Sequence, residues 1–160
     1  MKIVFVVVLM AIIAAVAIAG CTDETSPAEQ EAVLEGAVSG ADAELLSLKE
    51  DVKANAQSLA TTGLTGADAE GVLKATLLKN PWTESSFVIS EEGTVLTAVP
   101  LNYQDIVGTD LSWQPQVIKA NLDRTPIVSD VFLMEEGFWG ISQSAPIFSE
   151  DGTYLGYTDI

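Results

Sequence analysis

The sequence predicts an α+β domain with an antiparallel sheet, and three observations carry this prediction. An apolar residue recurs every three or four positions between Val38 and Leu59, which is the spacing of one face of an α-helix. From Ser85 onward, short runs rich in β-branched and aromatic residues replace the helical spacing. Pairs such as Asp151-Gly152 separate these runs and are typical of tight turns between antiparallel strands. Because helices come first and strands later, the pattern favours an α+β fold.

Two helices are predicted before the sheet. The first carries one apolar stripe, made of Val38, Ala41, Leu45, Leu48, Val52, Ala56 and Leu59. We interpret this stripe as the face that packs on the core, and a dimer seam between two copies is the alternative. Gly63 is expected to end this helix. The second helix is predicted to begin at Thr65 and to end at Asn80-Pro81.

The remaining elements are predicted as a hairpin, a loop with a short helix, and a three-stranded meander. The strands are expected at residues 85–90, 94–99, 127–135, 138–149 and 153–160, and the short helix at 113–122. The turns between them carry glycine, which suits tight connections of antiparallel strands. The sequence thus predicts a sheet of about five antiparallel strands.

Charge and composition exclude several classes of function. The chain of 160 residues carries 23 Asp and Glu against 7 Lys and Arg, a formal net charge of −16. Such a surface repels phosphate backbones, so nucleic acid is not expected as a partner. There is no histidine and only one cysteine, Cys21, which excludes an intrachain disulfide, Ser-His-Asp catalysis and imidazole metal sites. The acids Glu135 and Glu136 beside Gly137 are interpreted as a solvated turn. We therefore expect no enzyme, no cofactor and no metal.

The beginning of the chain predicts an export signal followed by a lipid anchor. An apolar run from Ile3 to Ala19 follows the positively charged Lys2. The letters IAGC that end at Cys21 resemble a lipobox, in which the cysteine sulfur accepts a diacylglyceryl group. An uncleaved transmembrane anchor is the alternative interpretation. Both interpretations place the rest of the chain outside the cytoplasm.

The chain accordingly divides into three predicted segments. They are a lipoprotein signal peptide over 1–20, an acidic tether over 21–30 and a folded domain over 31–160. The last strand-like run reaches Ile160 without a polar tail, so a complete domain and a C-terminally truncated one both stay open. We expect the domain on the extracytoplasmic side of the cell membrane, held there by the lipid anchor.

Five phrases in the second half of the chain resemble a Cache domain, the PAS-like extracytoplasmic sensor module of prokaryotic receptors. They are FVISEEGTVLTAVP (87–100), VGTDLSWQP (107–115), PIVSDVF (126–132), SAPIFSEDG (144–152) and YLGYTDI (154–160). The resemblance implies a PAS-like sheet with a long helix across one face. It also implies a ligand pocket on the other face, roofed by the loop and the short helix. Related proteins, among them lipoproteins of methanogenic archaea, usually continue past the GYTDI phrase into a further domain.

The same resemblance implies which residues hold a ligand. Amino-acid-binding Cache domains contact the ammonium group with aspartates that match Asp130 and Asp159 here. They contact the carboxylate with an arginine and an aromatic residue, and Gln114 and Gln116 stand at those positions. A neutral amide cannot form the bidentate ion pair that arginine makes with a carboxylate. The sequence therefore departs from the family pattern where the family binds an α-carboxylate.

The residues themselves favour a small amine-bearing ligand. Alternate strand residues share a face, which places Asp130 with Phe132, and Leu155 and Tyr157 with Asp159. Carboxylates among apolar and aromatic neighbours need a cation or a raised pKa to relieve their burial. The predicted ligand-binding residues are Asp130, Asp159, Gln114, Gln116, Trp113, Phe132 and Tyr157.

Other interpretations stay open. A small polar ligand could be held by Gln114 and Gln116, and the two aspartates could be solvated surface charges. The chain could also be a non-binding PAS-like module that dimerises through the long helix. Since these 160 residues contain no output segment, a signal would pass to a separate partner or to sequence beyond them.

Overall fold

The structure, a computed structural model, describes residues 26–135 and 137–160. The predicted signal peptide, Cys21 and the first half of the tether lie outside the described residues. The chain forms two units, one ending at Leu46 and one running from Ser47 to Ile160. Among the described residues, no helix combines the length and the apolar composition that crossing a bilayer requires.

The long helix α1 covers Pro27–Thr62 and begins with a capping box. The Ser26 backbone N–H donates to Glu29 Oε2 at 2.7 Å, and the Glu29 N–H donates back to Ser26 Oγ at 3.4 Å. The hydrogen bond from the Ser26 backbone lowers the pKa of the Glu29 carboxyl. This cap starts the helix at residue 27, so the last four residues of the predicted tether over 21–30 are helical.

The second unit contains the buried part of α1. Leu48, Val52, Ala56 and Leu59 are buried, so this part of the predicted stripe packs as core. Val38 and Ala41 belong to the other unit and are exposed.

The predicted end of α1 and the predicted start of the next helix are both confirmed. Gly63 follows α1 with φ +98°, a conformation that glycine adopts without strain. Helix α2 covers Gly66–Lys79, with Thr65 at the N-cap position, where its side chain makes no capping hydrogen bond, and Asn80 at the C-cap position.

Polar side chains join α1 to α2. Thr76 Oγ1 donates to Asn55 Oδ1 at 2.7 Å inside the helix pair. Nearer the surface, Lys79 Nζ and Asn80 Nδ2 donate to the two oxygens of Asp51 at 2.5 and 3.0 Å. Burial raises the pKa of the Asp51 carboxyl, but the hydrogen bonds from Asn80 and Lys79 and the charge of Lys79 outweigh it, so the pKa is lowered.

We expect Lys79→Met to make the domain more sensitive to acid. A lowered pKa in the folded state means that Asp51 stabilises the fold above its unfolded pKa of about 3.9, and this contribution is lost as the pH falls through the folded value. Removing Lys79 raises the folded pKa, so the acid-unfolding midpoint should move to higher pH. At neutral pH the cost should be only about 0.2–1 kcal/mol, as for an exposed ion pair. Acid titration of ellipticity measures the midpoint, and Lys74→Met, which removes the partner of Glu70 instead, is the control. Equal midpoints for the two variants would contradict the assignment.

The sheet has five strands, all antiparallel to their neighbours, in the order β2-β1-β7-β6-β3. A separate two-stranded ribbon pairs β4 with β5. The strands are β1 (Ser86–Ser90), β2 (Val95–Val99), β3 (Ile127–Val128), β4 (Phe132–Leu133), β5 (Trp139–Gly140), β6 (Gln143–Phe148) and β7 (Tyr154–Asp159). A 3₁₀ helix at Leu101–Ile106 and helix α3 at Pro115–Asp123 lie between β2 and β3. The predicted α+β fold with an antiparallel sheet is confirmed.

The meander differs from the prediction because two long strands break. The ladder between β3 and β6 ends at Val128, and the side chain of the next residue, Ser129, forms hydrogen bonds to backbone groups. Ser129 Oγ accepts the Ser142 N–H at 2.9 Å and donates to the Asp130 carbonyl at 2.8 Å. Such side-chain bonds compete with ladder bonds. The predicted strands 127–135 and 138–149 therefore each split in two, and the β4–β5 hairpin leaves the main sheet.

Two apolar clusters cover opposite faces of the sheet. The first joins the buried residues of α1 and α2 to Val88, Val99, Ala145 and Ile147. The second joins α3 and the loop residue Leu111 to the other face of the sheet.

A bulge in β7 fixes which side chains reach each face. Ile147 pairs with Gly156 and Phe148 with Tyr154, so Leu155 is the extra residue. Leu155 packs with the first cluster and Tyr157 with the second, so the prediction that they share a face is wrong.

Candidate functional site

A small cavity lies on the face of the sheet opposite α1. Its volume is about 40 Å³, close to the share of one or two waters in the liquid. It is lined by Ser85, Phe87, Ile89, Ile106, Leu111, Gln114, Gln116, Val117, Phe132, Met134, Glu135, Ser142, Tyr157, Asp159 and Ile160. The walls are thus apolar and aromatic with a few polar groups among them, which is the composition of ligand sites.

Asp159 reaches the cavity from the end of β7. Its backbone carbonyl accepts a hydrogen bond from Ser86 Oγ, and its Oδ2 accepts one from Ser142 Oγ at 3.2 Å. The first bond holds the backbone of Asp159, and the second orients its carboxylate. The neighbouring Tyr157 is buried, and its burial, followed by the negative charge of Asp159, raises the pKa of the phenol well above its usual value. Tyr157 therefore stays neutral at physiological pH and is available as a hydrogen-bonding aromatic wall.

Two glutamines form the wall at the start of α3. Gln114 is the N-cap residue, and its buried side chain accepts a hydrogen bond from Gln116 Nε2 through Oε1. Pro115 at the first helical position sets the direction in which the helix begins. This pair presents amide groups to the cavity where a cation would be needed to bind a carboxylate.

The β4–β5 hairpin supplies the remaining wall. Phe132, Met134 and Glu135 line the cavity from this side. Glu135 and Asp159 are therefore two carboxylates in one cavity, and none of the described lining residues is Lys or Arg. The cavity is electrostatically suited to a positively charged group and unsuited to an anion.

Five of the seven predicted binding residues come together in this cavity. They are Gln114, Gln116, Phe132, Tyr157 and Asp159. Asp130 and Trp113 do not line it, and both are exposed. Asp130 follows the break at Ser129, so it no longer shares the alternation of a strand with Phe132. Trp113 precedes the N-cap of α3, and its side chain is 66% exposed.

Sequence reasoning missed Glu135 as a cavity residue. Its position beside Gly137 indicates a solvated turn, and it does lie in the turn of the hairpin and is exposed. The hairpin nevertheless folds so that Glu135 also faces the cavity. Only the break of the strand at Ser129 brings it there, and no sequence signal gives that position.

A second, larger groove lies between α1 and β6. Its volume is about 400 Å³, and it is lined by Lys53, Ala56, Gln57, Ala60, Pro126, Ala145, Pro146, Phe148 and Glu150. Most of these side chains are small and apolar, and the groove is open to solvent. It lacks the converging polar groups of the smaller cavity, so we take the smaller cavity as the candidate site. Among the described residues, no three acidic or thiol side chains come together as a metal site.

Comparison with known proteins identifies the family. The family described as HK/GC/chemotaxis protein-like sensor domain matches residues 43–160. No curated protein matches the chain.

Solved structures share the fold. An extracellular ligand-binding receptor from Desulfohalobium retbaense superposes with a TM-score of 0.76 at 29% identity, covering 79% of this chain and 23% of that one. The ligand-binding domain of Mlp24 with asparagine gives a TM-score of 0.66 at 18% identity, covering 81% and 55%. The ligand-binding domain of the Pseudomonas aeruginosa amino-acid chemoreceptor PctC with GABA gives 0.56 at 20% identity, covering 73% and 54%.

The chain thus spans about a quarter to a little over half of the length of these structures. The family match covers most of the chain, including the whole sheet and every described residue that lines the cavity. The chain therefore belongs to the HK/GC/chemotaxis sensor-domain family, whose fold is the PAS-like, Cache-type ligand-binding domain.

Proposed function

We propose that this protein is an extracytoplasmic, lipid-anchored sensor that binds a small amine-bearing molecule and does not catalyse a reaction. The observation that carries the proposal is the presence of two carboxylates, Asp159 and Glu135, in a cavity without a cationic side chain in its described lining. Two carboxylates and no cationic lining side chain give the cavity a negative potential, which favours a positively charged guest over an anion. Similarity to receptors that bind small molecules supports the sensor function.

Each wall of the cavity has a role in this proposal. The ammonium group donates to the Asp159 carboxylate, which Ser142 already orients. Phe132 and Tyr157 provide aromatic faces for the cation and its alkyl carbons. Gln114 and Gln116 offer amide groups to a hydroxyl or a second polar group of the guest.

The guest is expected to lack a carboxylate. Mlp24 and PctC are described with asparagine and GABA, which carry both an amine and a carboxylate. Here Gln114 and Gln116 stand where this family places the arginine and the aromatic residue, and a carboxylate would face Glu135 and Asp159 without a compensating cation. We therefore expect simple amines to bind better than α-amino acids.

The cavity must enlarge for any guest of several atoms. Its volume of about 40 Å³ is well below the roughly 300 Å³ at the lower end of ligand pockets. The β4–β5 hairpin is not part of the five-stranded sheet, and two residue pairs join its strands, so we expect this wall to move most readily. Binding therefore requires a movement of the hairpin and the side chains that it carries.

The lipid anchor rests on the IAGC phrase at Cys21. We expect mass spectrometry of the membrane-extracted protein to find Cys21 as the N-terminal residue with a diacylglyceryl group on its sulfur. An N-terminus at Met1 with an unmodified Cys21 would contradict the anchor but would leave the cavity proposal untouched.

A thermal-shift screen of the full chain tests the ligand. The compounds are primary amines without a carboxylate, α-amino acids, and carboxylic acids without an amine. A ligand at a hundred times its Kd adds about 2.7 kcal/mol to the stability of the fold. We expect a rise in Tm with at least one amine and none with the carboxylic acids. A rise only with carboxylic acids would contradict the proposal.

A second candidate function is supported by the small volume of the cavity. A solidly filled PAS-like fold that only docks other proteins would also leave about 40 Å³ beside Asp159. It predicts no rise in Tm with any of the three compound classes, so the same screen separates the two functions.

A further inference from the structure

The β4–β5 hairpin carries an apolar surface that no other described element covers. Leu133 and Trp139 are cross-strand partners, and their side chains are 55% and 71% exposed. Val131 precedes β4 and Ile141 follows β5, and these two side chains are 65% and 38% exposed. We call these four residues the outer hairpin surface. Adjacent exposed apolar side chains of this kind mark interaction sites on soluble domains.

The hairpin has little stability of its own. Only the pairs Phe132–Gly140 and Leu133–Trp139 join the two strands. Hydrogen bonds from Met134 N–H to the Phe138 carbonyl and from Gly137 N–H to the Met134 carbonyl, both 2.9 Å, close the turn. A two-stranded ribbon is marginally stable in water unless a further layer packs on it. A partner on the outer hairpin surface would supply that layer.

Charge indicates the chemistry of that partner. Asp130 directly precedes the outer hairpin surface and Glu135 follows β4, and both are exposed. The whole chain carries a formal charge of −16, which repels a second copy and an anionic lipid surface. We propose that the outer hairpin surface docks a protein partner whose apolar side chains are flanked by lysine or arginine.

The hairpin also links this surface to the cavity. Phe132, Met134 and Glu135 line the cavity from the same strand and turn that carry Leu133 outward. A guest that moves the inner side chains therefore changes the position of the outer ones. This coupling, unlike the docking itself, rests on the proposed function, and by linkage the guest and the partner change each other's affinity by the same factor.

The test uses Trp139 as the reporter in the full chain. Trp82→Phe and Trp113→Phe together leave Trp139 as the single tryptophan. The probe is a short peptide of alternating leucine and lysine, compared with one of alternating serine and lysine. We expect the leucine peptide to shift Trp139 emission to the blue and to bind at least about tenfold more tightly than the serine peptide. Leu133→Ser should weaken its binding at least about tenfold.

Leu78→Ser is the matched control. Leu78 is 83% exposed on α2, so this variant removes a leucine that is even more accessible than Leu133, elsewhere on the domain. Equal binding of both peptides would show attraction by charge alone, and equal loss in the two leucine variants would show contact with any exposed leucine; either result would overturn the proposal. Self-association that Leu133→Ser abolishes, or binding to phosphatidylcholine vesicles that it abolishes, would assign the surface to a second copy or to lipid and overturn it as well.

The outcomes separate this inference from the proposed function. Peptide docking without an amine-induced rise in Tm supports the docking surface while the proposed ligand fails. A rise in Tm with an amine, without specific peptide docking, supports the proposed ligand while the docking surface fails. If both the amine and the peptide bind, each must change the affinity of the other by the same factor. Unequal factors would overturn the coupling.

Discussion

Gly156→Ala is expected to lower the free energy of unfolding by about 3–5 kcal/mol, at the top of the range for a single substitution. Gly156 lies in the β7 bulge with φ +129°, which side-chain-bearing residues rarely adopt. A Cβ atom there would lie 2.1 Å from the Ile89 carbonyl oxygen and 2.9 Å from the Ser90 backbone. The Ile89 and Ser90 backbones cannot move away without opening the β1–β7 ladder, in which Ser90 pairs with Gly156.

Gly63→Ala separates strain from collision. Gly63 has φ +98°, but no atom lies within 4 Å of a Cβ built on it. This variant should cost only about 1–2 kcal/mol, from backbone strain alone. Urea unfolding measures both variants, with an unchanged slope showing that the transition stays the same. If Gly156→Ala costs no more than Gly63→Ala, the close approach of β7 to β1 is wrong.

Asp159→Asn is expected to weaken binding of the amine found in the screen by about 2–4 kcal/mol, which is roughly thirty-fold to nearly a thousand-fold in Kd. The substitution keeps the size of the side chain and its ability to accept from Ser142 but removes the negative charge. We expect the Tm of the ligand-free protein to change little, because the amide can still accept the hydrogen bond from Ser142 Oγ.

Asp130→Asn is the matched control for this prediction. It removes the same charge from an exposed residue outside the cavity. We expect its amine affinity to stay within about twofold of the unchanged protein, because an exposed charge is screened by water and salt. Calorimetric titration of both variants measures the difference. Equal losses would mean that the long-range field of the acidic chain, and not the cavity, attracts the amine.

The helices and the first hairpin could be predicted closely because local signals define them. Gly63 and the Asn80-Pro81 stop mark the ends of α1 and α2 within one or two residues. The Glu91-Glu92-Gly93 turn is likewise a local signal, and it joins β1 to β2 as a hairpin. At the start of α1, the Ser26–Glu29 capping box is also a local signal, and it accounts for the helical residues inside the predicted tether.

The second half of the sheet could not be predicted in the same way. Residues 127–135 have strand composition throughout, but Ser129 bonds to Ser142 and ends the ladder, a choice that depends on a residue thirteen positions away. The bulge at Leu155 also depends on a distant part of the chain. Gly156, the next residue, packs directly against Ile89 and Ser90 of β1. Both features move side chains between faces of the sheet.

These two breaks also decide how much of the site the sequence could indicate. Gln114, Tyr157 and Asp159 sit on elements whose ends are locally defined, and they meet in the cavity as expected. Asp130 and Glu135 lie on either side of the displaced β4 strand, and the break at Ser129 leaves the first outside the cavity and brings the second into it. The structure thus places Asp159 in the candidate cavity, leaves Asp130 outside it and adds Glu135 to its lining.

A crystal structure of the full chain grown with the amine that gives the largest rise in Tm tests the central claim most directly. We expect the ammonium nitrogen within about 3 Å of the Asp159 carboxylate, as in a charge-assisted hydrogen bond, with the β4–β5 hairpin displaced to make room. An amine bound in the groove beside Lys53, with the cavity at Asp159 still closed, would contradict the account.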